Sequence, residues 1–180
     1  MDHATGPRIE ESFRRQGLMR YLGARLIAVE AGRVVIDVPF SNHLTQQNGF
    51  FHAGVSAAIA DTAGGYAALS LMNERDDVLA VEFKVNLLRP AVGDRLVAEA
   101  TVLKAGRTLT VCQTTVRAVK GDEVSIVAVM TQTNMRIDRE RRTKADRPVT
   151  RSAASSSGQP APPGAPGRRS PAARSRRARR

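Results

Sequence analysis

Apolar and polar positions along this chain change their period twice. Val34, Ile36 and Val38 alternate with more varied residues, which predicts a strand over residues 33–40. A first strand over residues 23–31 precedes it, with a turn at Ala31-Gly32. Residues 7–16 predict a short N-terminal helix, and residues 41–46 a polar turn or short helix. From about residue 54 to residue 73 the period becomes helical: Val55, Ala58, Ile59, Thr62, Tyr66 and Leu69 fall on one stripe. It then returns to two. Leu79, Val81, Phe83, Val85 and Leu87 predict one apolar face of a strand that Pro90 ends. Three more strands are expected over residues 94–104, 108–119 and 123–135. The short stretches Ala105-Gly106-Arg107 and Lys120-Gly121-Asp122 between them are hairpin signals.

The predicted order is ββαββββ, an α+β class with an antiparallel sheet and one long helix on its face. Of the 18 residues 53–70, 12 are Gly, Ala or Ser, so a curved sheet can close tightly around this helix. One sheet around one helix leaves a sheet face and an edge uncovered, and dimerisation is expected.

Composition changes the picture at one end only. A length of 180 residues suggests one domain, or one domain plus a tail. The net charge of +11 suggests nucleic acid until it is divided by position. Residues 1–138 hold 15 Lys+Arg and 15 Asp+Glu, whereas residues 139–180 hold 13 and 2. The predicted domain is therefore neutral, and a basic nucleic-acid-binding fold is excluded for it. The expected division is a domain over residues 1–138 and a disordered tail over residues 139–180. In residues 147–180, 31 of 34 are Ala, Gly, Pro, Arg or Ser, too little apolar surface to offset the entropy of ordering. The plain expectation for the tail is no specific function; the alternative is a weak, salt-sensitive arm for nucleic acid or an anionic surface.

The single cysteine, Cys112, makes no internal disulfide and builds no thiolate zinc site, which fits a reducing compartment. It reads as a small buried hydrophobe in a strand. The chain opens without a basic stretch leading into an apolar one, and the apolar run over residues 54–72 is broken by Asp61. No membrane span is expected, and the expected location is the cytoplasm.

Several kinds of catalytic machinery are missing from the sequence: a G-x-S-x-G elbow, a G-x-x-x-x-G-K-[ST] phosphate loop, a Gly-rich dinucleotide signature and H-E-x-x-H. With three histidines, His3, His43 and His52, no protein-held metal is expected. What remains is Gln46-Gln47-Asn48-Gly49-Phe50-Phe51-His52-Ala53-Gly54, then Asp61. Asp61 is the only acidic residue between Asp37 and Glu74. Aspartate is a poor mid-helix residue, and a partly buried carboxylate needs a partner or a task. Pairing with an arginine or capping a neighbouring backbone is one reading; acid–base work is the other. Ala53-Gly54 falls at the helix N-terminus, where free N–H groups and the helix dipole favour an oxyanion. Gln46, Asn48 and His52 are polar neighbours. An oxyanion site near a carboxylate and a carboxamide describes a water-activating acyl hydrolase.

Three segments together, Asn48-Gly49-Phe50-Phe51-His52-Ala53-Gly54, Ala60-Asp61-Thr62-Ala63-Gly64-Gly65-Tyr66-Ala67-Ala68 and Asn86-Leu87-Leu88-Arg89-Pro90, resemble the hotdog-fold acyl-CoA thioesterases of the phenylacetate-degradation (PaaI-like) type. The resemblance covers roughly residues 15–137. It implies a homodimer with a continuous sheet, often paired into a homotetramer, with active sites at the subunit interface. It implies hydrolysis of an acyl-CoA or aryl-CoA to free acid and coenzyme A, which is part of the substrate, so that no separate cofactor is needed. It makes Asp61 the catalytic base or nucleophile and Gly54, with Ala53, the carbonyl-polarising donors. His52 orients the loop or touches substrate, and Gln46 supplies a carboxamide, a role for which Asn48 is the rival. Three positions depart from the family pattern, the first being Gln46, which stands where the family often has Asn. Ala53 stands where the family often has Gly, and Ala80 where it often has a water-positioning Ser. Phe51, with Phe50, is a candidate for an acyl or aryl pocket, the alternative being ordinary packing. Arg89, Lys104 and Arg107 are candidates for the phosphates of coenzyme A, the alternative being plain surface arginines and lysine. Ala80 also motivates a rival: a non-catalytic acyl-CoA-binding hotdog acting as sensor or carrier. A hotdog dehydratase ranks lower, because its His-Phe-Pro-Gly pattern is missing.

Overall fold

The computed structural model describes residues 5–139. The basic tail expected from residue 139 lies, beyond Arg139 itself, outside the described residues. Helices α1 (Thr5–Arg15) and α2 (Gly17–Tyr21) lead into strands β1 (Arg25–Glu30) and β2 (Arg33–Pro39). A 3-10 turn (Asn42–Leu44) follows, then the long helix α3 (Ala53–Leu69). Strands β3 (Asp76–Leu87), β4 (Arg95–Ala105), β5 (Leu109–Lys120) and β6 (Glu123–Asp138) complete the domain. All pairings are antiparallel, in the order β1-β2-β4-β5-β6-β3. The predicted ββαββββ order is found, together with α2, whose five residues are too few to show a period.

Small side chains set how closely α3 sits on the sheet. Ala60, Ala63 and Ala67 of the helix and Ala98 and Ala100 of β4 are fully buried, with Ile36, Ile59, Val116 and Met130 filling the gaps between them. The helix is buried over more than the predicted stripe, because the sheet curves around it. Ser56, Ala60, Gly64 and Ala68 are buried as well as Val55, Ile59 and Tyr66, while Ala58 and Thr62 of the stripe are only half-buried. Asp61, Thr62 and Gly65 form the polar, half-buried part of its surface.

Strand β3 departs from strict alternation. Its register against β6 shifts between Ala80 and Glu82. Phe83, Val85 and Leu87 pair with Gln132, Met130 and Ala128, all buried on the helix side. Past the bulge that side is taken by Ala80 and Val78, while Leu79 pairs with Met135 on the opposite face. The single apolar face expected from Leu79 to Leu87 is therefore split, and the split brings Val78 and Ala80 next to Asp61.

β3 is also an edge. Among the described residues it pairs with β6 alone, so its outer N–H and C=O groups have no strand partner there. Val81, Phe83 and Leu87 are about half exposed, at 51%, 49% and 56%.

Candidate active site

The loop before α3 is built to present its polar groups. A turn closes where Gly49 N–H donates to the Gln46 carbonyl at 3.0 Å, with Gly49 at φ 80°, a conformation glycine adopts without strain. Gln46 N–H donates to the Phe50 carbonyl at 2.8 Å, and the Gln46 side-chain oxygen accepts from Asn48 N–H. Gln46 is half-buried and Asn48 exposed. Phe51 is buried edge-on to Phe40, ring centres 5.3 Å apart, and anchors the loop where α3 begins.

His52 caps the helix. Its Nδ1 accepts from Gly54 N–H at 2.9 Å, which places the ring proton on Nε2. A Cβ at position 54 would stand 2.9 Å from that Nδ1, so the fold-back needs glycine. One of the two expected oxyanion donors is thus engaged by the chain's own histidine. The Ala53 N–H has no acceptor among the described residues. It belongs to a cleft of about 420 Å³ lined by Gln46, Asn48, Phe51, Ala53, Ser56 and Arg89, with other apolar residues. The structure thereby gathers Gln46, Asn48, Phe51, Ala53 and Arg89 around one helix end. Arg89 is exposed and has no ion pair among the described residues. Ser56, which no motif marks in the sequence, is a buried hydroxyl in the first turn of α3 facing this cleft.

On the other flank of α3's start, His52 and Gly54 line a pocket of about 250 Å³ with Leu18, Tyr21, Leu22 and Val55. Arg107 is not near these groups within one chain. It lies in the β4–β5 turn, at the end of the sheet where Leu109, Met135 and Leu79 align. Arg89 follows the opposite end of β3.

Asp61 sits two turns along the helix from Ala53, about 12 Å at 1.5 Å per residue. It lines a separate polar pocket of about 180 Å³ with Gln16, Thr62, Gly65, Tyr66, Ala80, Gln132 and Asn134. Its Oδ1 accepts from Gln132 Nε2 at 2.5 Å. Burial pushes the carboxyl above its ordinary range. The Tyr66 hydroxyl accepts from Gln16 Nε2 at 2.8 Å and donates to Ser12 at 3.1 Å. No arginine pairs with Asp61 among the described residues. The only cysteine, Cys112, is fully buried, and burial pushes its thiol up to about 11. Among the described residues no group of three or more His, Cys, Asp or Glu is placed to hold a metal, and no helix is long and apolar enough to cross a membrane.

A long helix wrapped by a curved antiparallel sheet, with amides at its start and a lone carboxylate along its side, defines a hotdog domain of the thioesterase kind. The Thioesterase superfamily matches residues 48–125, and the chain belongs to it. A solved thioesterase-family protein of Silicibacter pomeroyi is 46% identical, with a TM-score of 0.74, covering 75% of this chain and 99% of that one. A Saccharolobus solfataricus protein assigned as an esterase is 32% identical over 106 residues, 58% of this chain and 75% of its own. The 1,4-dihydroxy-2-naphthoyl-CoA hydrolase of Listeria monocytogenes is 25% identical over 91 residues, 51% of this chain and 74% of its own. Fold and family are those expected from the resemblance over residues 15–137.

Proposed function

We propose that this thioesterase hydrolyses an acyl-CoA or aryl-CoA to the free acid and coenzyme A, in the cytoplasm and without a further cofactor, as a homodimer or a pair of dimers. The observation that carries the reading is the contrast between the Ala53 N–H, at a helix start, and the half-buried Asp61: among the described residues the first has no acceptor and the second no cationic partner. The thioester carbonyl sits against the Ala53 amide, joined by that of Gly54 when His52 turns away. Asp61 of the partner subunit takes a proton from water as the water attacks the carbonyl carbon. The tetrahedral oxyanion is held by the amides and the helix dipole. It collapses with cleavage of the C–S bond. The proton passes to the departing thiolate, which leaves readily because thiols ionise near pH ~8.5. Direct attack by Asp61, through an anhydride that water then opens, uses the same geometry. Gln46, with Asn48 as the rival, holds the water or the carbonyl, and Arg89 meets a phosphate of coenzyme A. Arg107 would have to reach the site of another chain to do so.

A panel of thioesters from short aliphatic to phenylacetyl and benzoyl, read by thiol release, tests this. Turnover is expected with at least one, and Asp61→Asn should lower kcat about 10²–10⁴-fold. Binding of acyl-CoA with no hydrolysis across the panel would favour the sensor or carrier, for which Ala80, a methyl beside Asp61 where a hydroxyl is usual, is the specific support.

A further inference from the structure

Strand β6 carries an anomaly on its inner side. Ala128 and Met130 face the helix as apolar core, and then Gln132 and Asn134 follow on the same side, 1% and 0% exposed. Two carboxamides in a core are costly unless they are used. Gln132 spends its donor on one residue. Its Nε2 donates to both the Asp61 carbonyl, at 3.3 Å, and Asp61 Oδ1, at 2.5 Å. Its Oε1 and the Oδ1 of Asn134 are buried and have no partner among the described residues. Gly64 makes room for this arrangement: a Cβ there would stand 1.9 Å from Gln132 Oε1.

Building on the role given to Asp61 above, we infer that Gln132 is a positioning residue that fixes the Asp61 carboxylate for its reaction. Bonding to main-chain carbonyl and carboxylate of the same residue ties the side chain to its own backbone and selects one rotamer. A donor to the charged oxygen also favours the ionised form, the form able to accept a proton or attack. This opposes the burial that pushes the Asp61 carboxyl upward. Among the described residues, the only other titratable group lining the pocket is the Tyr66 phenol; β3 contributes Val78 and Ala80, and β6 the two carboxamides. From β5, Thr114 is spent on the Ala60 carbonyl and Cys112 accepts from Asn134. Gln132 is thus the only side chain that hydrogen-bonds the Asp61 carboxylate among the described residues.

Gln132→Met keeps the length of the side chain and removes the donor. It should lower kcat about 10- to 100-fold with little change in KM, because positioning acts on the chemical step. It should also move the acid limb of kcat/KM upward by about one pH unit, since that limb reports the base of the free enzyme. Gly64→Ala, which pushes the carboxamide aside without touching its chemistry, should move the limb the same way. The second variant serves if the first does not fold, and the melting temperature and elution volume of each establish that. A merely structural role would lower the melting temperature and leave the acid limb in place. An unmoved limb and a wild-type kcat in both folded variants, with Asp61→Asn inactive, overturns the role of Gln132 and leaves that of Asp61 standing. A fully active Asp61→Asn overturns both.

Discussion

The Ala53 amide and the Asp61 carboxylate ride on the same helix about 12 Å apart along its axis, and they open into different pockets. A carbonyl held at the first cannot be reached by a water held at the second within one chain. In the function proposed above, each chain carries two half-sites that a second copy completes.

Ala53→Pro isolates the amide half. Ala53 is the first residue of α3, where proline fits because its missing N–H is unused by the helix. His52 before it is already extended, at φ −64° and ψ 138°, as a residue preceding proline must be. The variant should melt close to wild type and lose about 10²–10³-fold in kcat, the usual cost of one oxyanion donor. Steady-state thiol release beside a thermal melt checks it. An unchanged kcat would place the carbonyl elsewhere.

Mixing the two defects tests the shared site. Ala53→Pro and Asp61→Asn are each expected to be inactive alone. Refolded together from denaturant, half the dimers should be mixed, and each mixed dimer holds one intact site by two-fold symmetry. About a quarter of wild-type activity should therefore return. Sites contained within one chain would show no recovery.

Asp61→Asn should also stabilise the protein at neutral pH. Burial raises the Asp61 carboxyl above its ordinary 3.8, so folding disfavours its ionisation relative to the unfolded chain. Such a group contributes its stability in full below the unfolded value, and the contribution is lost as pH rises through the folded one. Asparagine stays neutral and still accepts from Gln132. Its melting temperature should exceed that of wild type at pH ~7 and converge with it as pH falls toward ~4. A variant less stable at neutral pH would contradict the sign.

The β3 edge predicts the assembly. Val81→Lys with Phe83→Lys places two charges on a long, half-exposed apolar edge. Light scattering should show a monomer, and activity should fall about 100-fold or more because each site loses its second half. A dimer of full activity would move the interface off β3.

Much of this domain could be read from side-chain period alone. The run of small residues over 53–70 marked α3 because only such residues allow close contact with a curved sheet, and the hairpin turns at Gly106 and Gly121 fell where glycine punctuates alternation. Asp61 stood out because an acid is unexpected in such a helix. The bulge after Ala80 could not be read, since Leu79 to Leu87 alternates perfectly in sequence and a one-residue slip leaves no compositional mark. The capture of Gly54 N–H by His52 was equally hidden, because two neighbouring residues choose that bond only once the cap geometry exists. Gln132 and Asn134 did leave a signal: two carboxamides continuing the inner side of β6 after Ala128 and Met130.

The chain's sequence by itself determined its class of fold, the helix that forms its centre and the isolated acid, Asp61, on that helix. These depend on local period and on residue types that are costly wherever they occur. The tertiary structure alone decided that the acid leans on Gln132, and that acid and amides face different pockets. Such relations join residues far apart in the chain, through a strand order and a register that no local pattern encodes.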